Sequence, residues 1–248
     1  GLAAAGMVPF CNIYSSFMQR AYDNVIHDVA IQDLPVVMCL DRGGLVGEDG
    51  VTHHGVFDMA AFGAVPGLTI AAPMNEPELR NMMYTALGSG HPFMIRYPRG
   101  HGEGLPWRGE KFETLPVGRG RRLREGADVA LLTVGTVGNA AARAAGRAAA
   151  EGVSVAHYDL RFVKPLDEAL LDEVGRKFRR VVTVEDGSLR GGVGEAVAAF
   201  FNGRGYDVRV QRLGIGDEWV EHGTPGQLYA LCGYDEEGIL RALLDTRA

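Results

Sequence analysis

The chain has 248 residues, of which 46% are hydrophobic and 23% charged, and its formal net charge is −6. That composition is ordinary for a globular protein and allows one large domain or two smaller ones. The acidic balance and the lack of a basic stripe argue against a nucleic-acid partner, and no apolar run reaches the roughly 18 residues that a membrane span needs.

The opening residues, Gly1 to Gly6, carry helix-forming alanines but no cap and no initiating Met. They read as a trimmed tag or as part of a helix in a longer protein. No signal-peptide pattern opens the chain. Residues 8–14, 35–41, 68–73 and 93–97 are short, apolar and β-prone. Continuous apolar strands of this kind imply a parallel sheet covered on both faces. Between the first two, Met18, Tyr22, Val25, Ile26 and Val29 fall on one face of a helix over 17–31, and Ser16 with Gln19 reads as a capping box. Asn75 with Glu78 repeats that signal before a helix over 79–87. The βαβ alternation is the mark of a doubly wound sheet.

From Pro98 to Pro116 the sequence turns rich in Gly, Pro and charge, which reads as an interdomain linker. The basic cluster Arg119, Arg121, Arg122 and Arg124 that follows reads as a solvated turn. A second α/β pattern then runs through strands over 129–134, 153–158, 181–185 and 208–213. Its helices are expected over 138–151, from a cap at Asp167 to Lys177, over 193–202 and over 236–244. The expected fold is α/β with two domains, residues 1–100 and 117–248, joined by a linker over 101–116. Cys11, Cys39 and Cys232 have no metal-site spacing; Cys11 and Cys39 lie in apolar runs and read as buried thiols of a reducing compartment, so a cytoplasmic location is expected.

One stretch interrupts the pattern. Residues 41–58, DRGGLVGEDGVTHHGVFD, hold five glycines, three aspartates, a glutamate, an arginine and two histidines. They begin where the strand over 35–40 ends, and ligands of open α/β sheets sit outside the carboxyl ends of strands. Glycines let backbone approach a ligand, arginine grips phosphate or carboxylate, and histidine moves protons near neutral pH. The loop is expected to be mobile without a ligand, because glycines offer few packing contacts.

This run, together with YSSFMQRAYD at 14–23, RYPRG at 96–100 and EDGSLRGGVGE at 185–195, resembles the 1-deoxy-D-xylulose-5-phosphate synthases, and the likeness covers the whole chain. The resemblance implies a transketolase-type pyrimidine-binding domain followed by a transketolase C-terminal domain. It also implies thiamine diphosphate and Mg2+ as cofactors, with pyruvate and D-glyceraldehyde 3-phosphate as substrates. The product feeds isoprenoid, thiamine and pyridoxal synthesis. Phe17 matches the aromatic residue that stacks on the cofactor's aminopyrimidine. His53 matches the active-site histidine that exchanges protons with substrate oxygens. Arg42 and Arg99 match the arginines that hold the acceptor's phosphate, and Tyr14, Arg20 and Asp49 match polar groups at the substrate end. No role is implied for His54, and His27 is assigned a structural or interface hydrogen bond.

The family's cofactor-activating glutamate is expected just before the segment that matches Gly1 to Ala3. Its metal and diphosphate signature belongs to an N-terminal domain, and Glu185, Asp186 and Gly187 with Asn202 are a poor match to it. The chain is therefore expected to be a C-terminal portion, inactive alone, with no metal ligands of its own, that works with the N-terminal half as a homodimer. Two other readings stay open: another transketolase-like protein (a transketolase or a 2-oxo-acid dehydrogenase β subunit), or a silent α/β binding module.

Overall fold

The computed structural model describes residues 1–109 and 111–245. Its first sheet is built from β1 (Phe10–Tyr14), β2 (Val37–Asp41), β3 (Thr69–Ala71), β4 (Phe93–Arg96) and β8 (Phe162–Lys164), in the order β1-β2-β4-β3-β8. Its first four strands are parallel, and β8 joins antiparallel. The second sheet contains β5 (Arg121–Arg124), β6 (Val129–Val134), β7 (Val155–Asp159), β9 (Arg180–Ser188) and β10 (Arg209–Ile215), in the order β10-β9-β6-β7-β5. Only β5 is antiparallel to its neighbour. The fold is thus α/β with two mostly parallel sheets.

Burial explains the sheet order. From Val37 to Leu40 every residue is 2% exposed or less, and Val129 to Val134 are fully buried apart from traces. Apolar clusters cover each sheet on both faces. The helix α5 (Val137–Ala150) presents Ala141, Ala144, Ala145 and Ala148 to the second sheet, all at 0% exposure. Side chains this small let the helix axis lie close to the strands. Outward, Arg143 and Arg147 pair with Glu236 and Glu237 of α9 (Glu236–Leu244).

Several expectations need correction. β1 is an edge strand, and its Cys11 and Asn12 are exposed; Cys11 is not a buried thiol. Cys39 is buried, and burial pushes its thiol up to about 11. The capping box at Ser16 does not form, because the extended end of β1 runs straight into the helix and Tyr14 takes the cap position. The helix itself is four pieces: α1 (Ser15–Met18), a 3-10 turn (Gln19–Ala21), α2 (Tyr22–Asn24) and a π segment (Val25–Ala30). The arginine run at 119–124 is not a solvated turn. Its residues Arg121–Arg124 form β5, where Arg121 pairs with Glu78 and Asp159; Arg119, just before the strand, pairs with Asp167. Missed altogether were β8, α3 (Asp58–Gly63) and α8 (Pro225–Leu231), although α8 carries a full Thr224–Gln227 capping box.

Two caps were legible. Asn75 accepts the Glu78 N–H at the start of α4 (Glu76–Leu87), and Asp167 accepts the Leu170 N–H at the start of α6 (Glu168–Lys177). Glu78 does not complete a capping box; its carboxylate receives Arg161 and Arg121 from the second domain instead. The stretch before β5 lies against α4: Arg80 donates to the Trp107 and Lys111 carbonyls, and Thr85 accepts the Leu115 N–H. Among the described residues, no helix is long and apolar enough to cross a membrane.

Candidate active site

The loop over 41–58 leaves the carboxyl end of β2 and folds back on itself. Gly44 and Gly55 exchange both backbone hydrogen bonds at 2.8 Å. Gly44 adopts φ +84°, and a Cβ there would lie 1.8 Å from an Asp186 oxygen; a Cβ on Gly55 would lie 2.1 Å from the Arg42 carbonyl. The glycines are thus needed for close contact, the opposite of the reason for expecting mobility. Residues 43–47 and 54–56 are buried, and only Glu48, Asp49, Thr52 and Phe57 are exposed.

Buried polar groups pin this loop. Ser15 Oγ donates to Asp58 Oδ2 at 2.9 Å, and Arg96 Nε reaches the same oxygen at 2.9 Å. Arg96 Nη2 donates to the Asp186 carbonyl at 2.9 Å and to the Gly55 carbonyl at 3.4 Å. From the second domain, Asp186 Oδ1 accepts the Leu45 N–H at 3.1 Å and the Tyr234 hydroxyl at 2.7 Å. His54 accepts the Val46 N–H at Nδ1, so its proton sits on Nε2, 3.4 Å from the Glu221 carbonyl. Beside them, Glu185 accepts the Val193 and Gly194 N–H groups at the start of α7 (Val193–Gly203), each at 2.8 Å. Burial pushes the Glu185 carboxyl up to about 7 against the pull of those two donors.

On the exposed side the sequence-derived residues gather. Phe17, 49% exposed, stacks on Tyr14 with ring centroids 4.9 Å apart and planes 15° from parallel. His53 meets the Phe17 ring edge-on at 5.4 Å, and its Nδ1 lies 2.9 Å from Thr52 Oγ1. The Arg42 guanidinium lies over Tyr14, 3.7 Å from the ring centroid, and pairs with Asp41 at 2.7 Å. Arg42 takes φ +58°, and its Nε is buried with no partner. Asp49 and Arg99 pair with each other at 2.9 Å. The Asp41 hydrogen bond raises the Arg42 pKa, and Asp49 is near enough to add to that. Arg20 is exposed in the 3-10 turn, and no described contact joins it to this cluster. His27 lies well away on the exposed side of the π segment, paired with Asp23.

Sequence reasoning missed Ser15, Arg96, Asp186, Tyr234 and His54 as the groups that hold the loop. Arg96 opens RYPRG and Asp186 lies in the EDG stretch, so both stood in noted segments, but only the fold brings them together.

Residues 1–103 match the model of the transketolase pyrimidine binding domain, and residues 118–239 that of the transketolase C-terminal domain. The chain is 60% identical to a 1-deoxy-D-xylulose-5-phosphate synthase of Bacteroides fragilis, over 100% of this chain and 38% of that protein. It is 48% identical to the synthase of Symbiobacterium thermophilum, over 96% of this chain and 37% of that protein. The chain belongs to the transketolase family, in its 1-deoxy-D-xylulose-5-phosphate synthase branch. It corresponds to the C-terminal 38% or so of these synthases. A split-gene transketolase, described as an inactive β4 tetramer, shares the fold with a TM-score of 0.86 and 27% identity, over 98% of this chain and 77% of that one.

Transketolase-family enzymes of this branch depend on thiamine diphosphate. The residues present fit one end of that cofactor. Phe17 offers a half-exposed aromatic ring, already stacked on one neighbour, as a surface for a flat heteroaromatic ring. Among the described residues, no group of three or more His, Cys, Asp or Glu is placed to hold a metal ion.

Proposed function

We propose that this chain supplies the pyrimidine-facing wall and the phosphate-binding arginines of a 1-deoxy-D-xylulose-5-phosphate synthase. In that reaction pyruvate loses CO2 and its two-carbon unit is joined to D-glyceraldehyde 3-phosphate. The observation that carries the reading is the gathering of Tyr14, Phe17, Arg42 and His53, with the Asp49–Arg99 pair, around one loop at the carboxyl end of β2. The unpartnered, buried Nε of Arg42 adds to it, since an anion's oxygen would satisfy that donor.

Thiamine diphosphate, when bound, supplies the nucleophilic carbon and the electron sink for decarboxylation. Each residue then has a distinct task. Phe17 gives the pyrimidine ring a face to lie on. Arg42, held over Tyr14, and Arg99, held by Asp49, grip the acceptor's phosphate. The contact between Thr52 and His53 Nδ1 leaves Nε2 to exchange a proton with a donor or acceptor oxygen. Arg20 belongs to the substrate end only if it turns in from its exposed position.

In this reading residues 1–100 form the pyrimidine-binding domain, 101–116 the linker and 117–248 the C-terminal domain. Mg2+ and the diphosphate are held by the N-terminal part of the enzyme, and the working form is a cytoplasmic homodimer. The inactive β4 state of the split-gene transketolase supports the need for a second polypeptide. The test joins this chain to the region that precedes the aligned segment in the Bacteroides fragilis relative. Formation of 1-deoxy-D-xylulose 5-phosphate from pyruvate and glyceraldehyde 3-phosphate, lost in F17A and H53A, is expected. Saturable binding of inorganic phosphate without turnover would favour a silent binding module.

A further inference from the structure

The loop that carries the proposed substrate groups belongs to the first domain, yet its buried side faces the second. One residue there holds one end of it directly and the other through Arg96. Asp186 is 4% exposed and lies on β9. Its Oδ1 accepts the Leu45 N–H at 3.1 Å, three residues beyond Arg42. Its backbone carbonyl accepts from Arg96, which in turn holds the Gly55 carbonyl and the Asp58 carboxylate on the far side of Asp49 and His53. Its Oδ2 occupies the space that a side chain on Gly44 would fill. Tyr234 donates its hydroxyl to the same carboxylate at 2.7 Å, which fixes the rotamer from behind.

A buried carboxylate is costly unless it is hydrogen-bonded on every side. A neutral side chain would suffice if this seam needed only packing. The donors that meet the carboxylate come from different elements: the loop through the Leu45 N–H, α8 through Tyr229, and the segment that leads into α9 through Tyr234. We propose that Asp186 is a positioning residue of the second domain. It clamps the 41–58 loop at Leu45 directly and at Gly55 through Arg96, so that Arg42 and His53 stay against Tyr14 and Phe17. The inference rests on the functional reading above for what the loop does, but not for how the loop is held.

The test is amide hydrogen exchange on the 248-residue chain, in wild type and in D186A, D186N and Y234F. In D186A the Leu45 N–H and the Tyr234 hydroxyl both lose their acceptor, while the backbone carbonyl that holds Arg96 remains, so exchange should speed roughly ten- to a hundredfold at Leu45 and Gly44 and less at Gly55. β6 and α5 should keep their protection. D186N retains an acceptor oxygen and should recover most of the protection at Leu45; Y234F should show a smaller change of the same kind. If D186A fails to fold, Y234F still carries the comparison, with D186N as the conservative control. In the joined enzyme, D186A should raise KM for glyceraldehyde 3-phosphate more than it lowers kcat, and D186N should bring KM back towards the wild-type value. Unchanged exchange in 41–58, or equal acceleration in β6 and α5, would overturn the proposal. Local loosening of the loop in a wild-type background that makes no product would leave the clamp standing and remove the synthase reading instead.

Discussion

Arg42 sits at φ +58°, a conformation that costs a side-chain-bearing residue roughly 1–2 kcal/mol. The strain is borne at the residue whose guanidinium stacks on Tyr14 and whose Nε lacks a partner, which is where a ligand-gripping role would place it. Glycine has no such penalty. R42G should therefore be more stable than R42A by about 1 kcal/mol in urea unfolding. Both should lose acceptor kcat/KM to the same large extent. Equal stability of the two variants would show that the backbone is not strained there.

His157 shows a different kind of constraint at the same scale. It is 1% exposed, Nε2 lies 2.9 Å from Thr133 Oγ1, and burial pushes its pKa down to about 4, with Arg121 and Arg124 adding to the shift. A base that binds its proton less tightly when folded contributes stability above its unfolded pKa, near 6.5, and loses it as pH falls through the folded value. The stability difference between wild type and H157Q should grow by up to about 3 kcal/mol from pH 4 to 6.5 and stay level above that. A difference that does not change with pH would mean that the imidazole is not buried neutral.

Among the elements, the 41–58 loop is the one whose chemistry was most legible and whose mechanics were least so. Its glycines announced close backbone approach, but the approach is to protein and not only to ligand. Gly55 lies against the Arg42 carbonyl and Ser15, neither of which can retreat far. G55A should cost at least ~2 kcal/mol in chemical unfolding and displace Arg42. A G55A protein as stable as wild type would mean that the loop adapts freely.

Elsewhere the pattern of apolar runs located the parallel strands well, because a strand buried on both faces has little choice of residue. The antiparallel edge strands β5 and β8 gave weaker signals than the parallel edges β1 and β10. β5 is almost all arginine, and its ladder is supported by Glu78, Asp159 and Glu173 from distant parts of the chain. Ser16 looked like a cap because spacing alone does not show that β1 enters the helix without a break. Phe17, His53, Arg42 and Tyr14 were legible through a long motif. Asp186 and Tyr234 were not, since 141 residues separate Asp186 from the Leu45 amide it accepts.

At the scale of the whole molecule, the two domains are tied by β8, by the Glu78–Arg161 and Glu78–Arg121 pairs, and by the contacts of Arg96 and Asp186. The chain spans about 38% of the length of the Bacteroides fragilis relative it matches, so the proposed reaction belongs to an assembly larger than the surfaces described above. Of the two proposed substrates only the acceptor brings a phosphate, and Arg99 with Arg42 is assigned to hold it. The most direct measurement is therefore steady-state kinetics of R99A in the joined enzyme, with pyruvate and glyceraldehyde 3-phosphate varied in turn. KM for glyceraldehyde 3-phosphate should rise at least roughly tenfold, as expected for one lost charge-assisted contact, while KM for pyruvate stays within about twofold. Equal rises for both substrates, or none for either, would contradict the assignment of the loop as the phosphate end of the site.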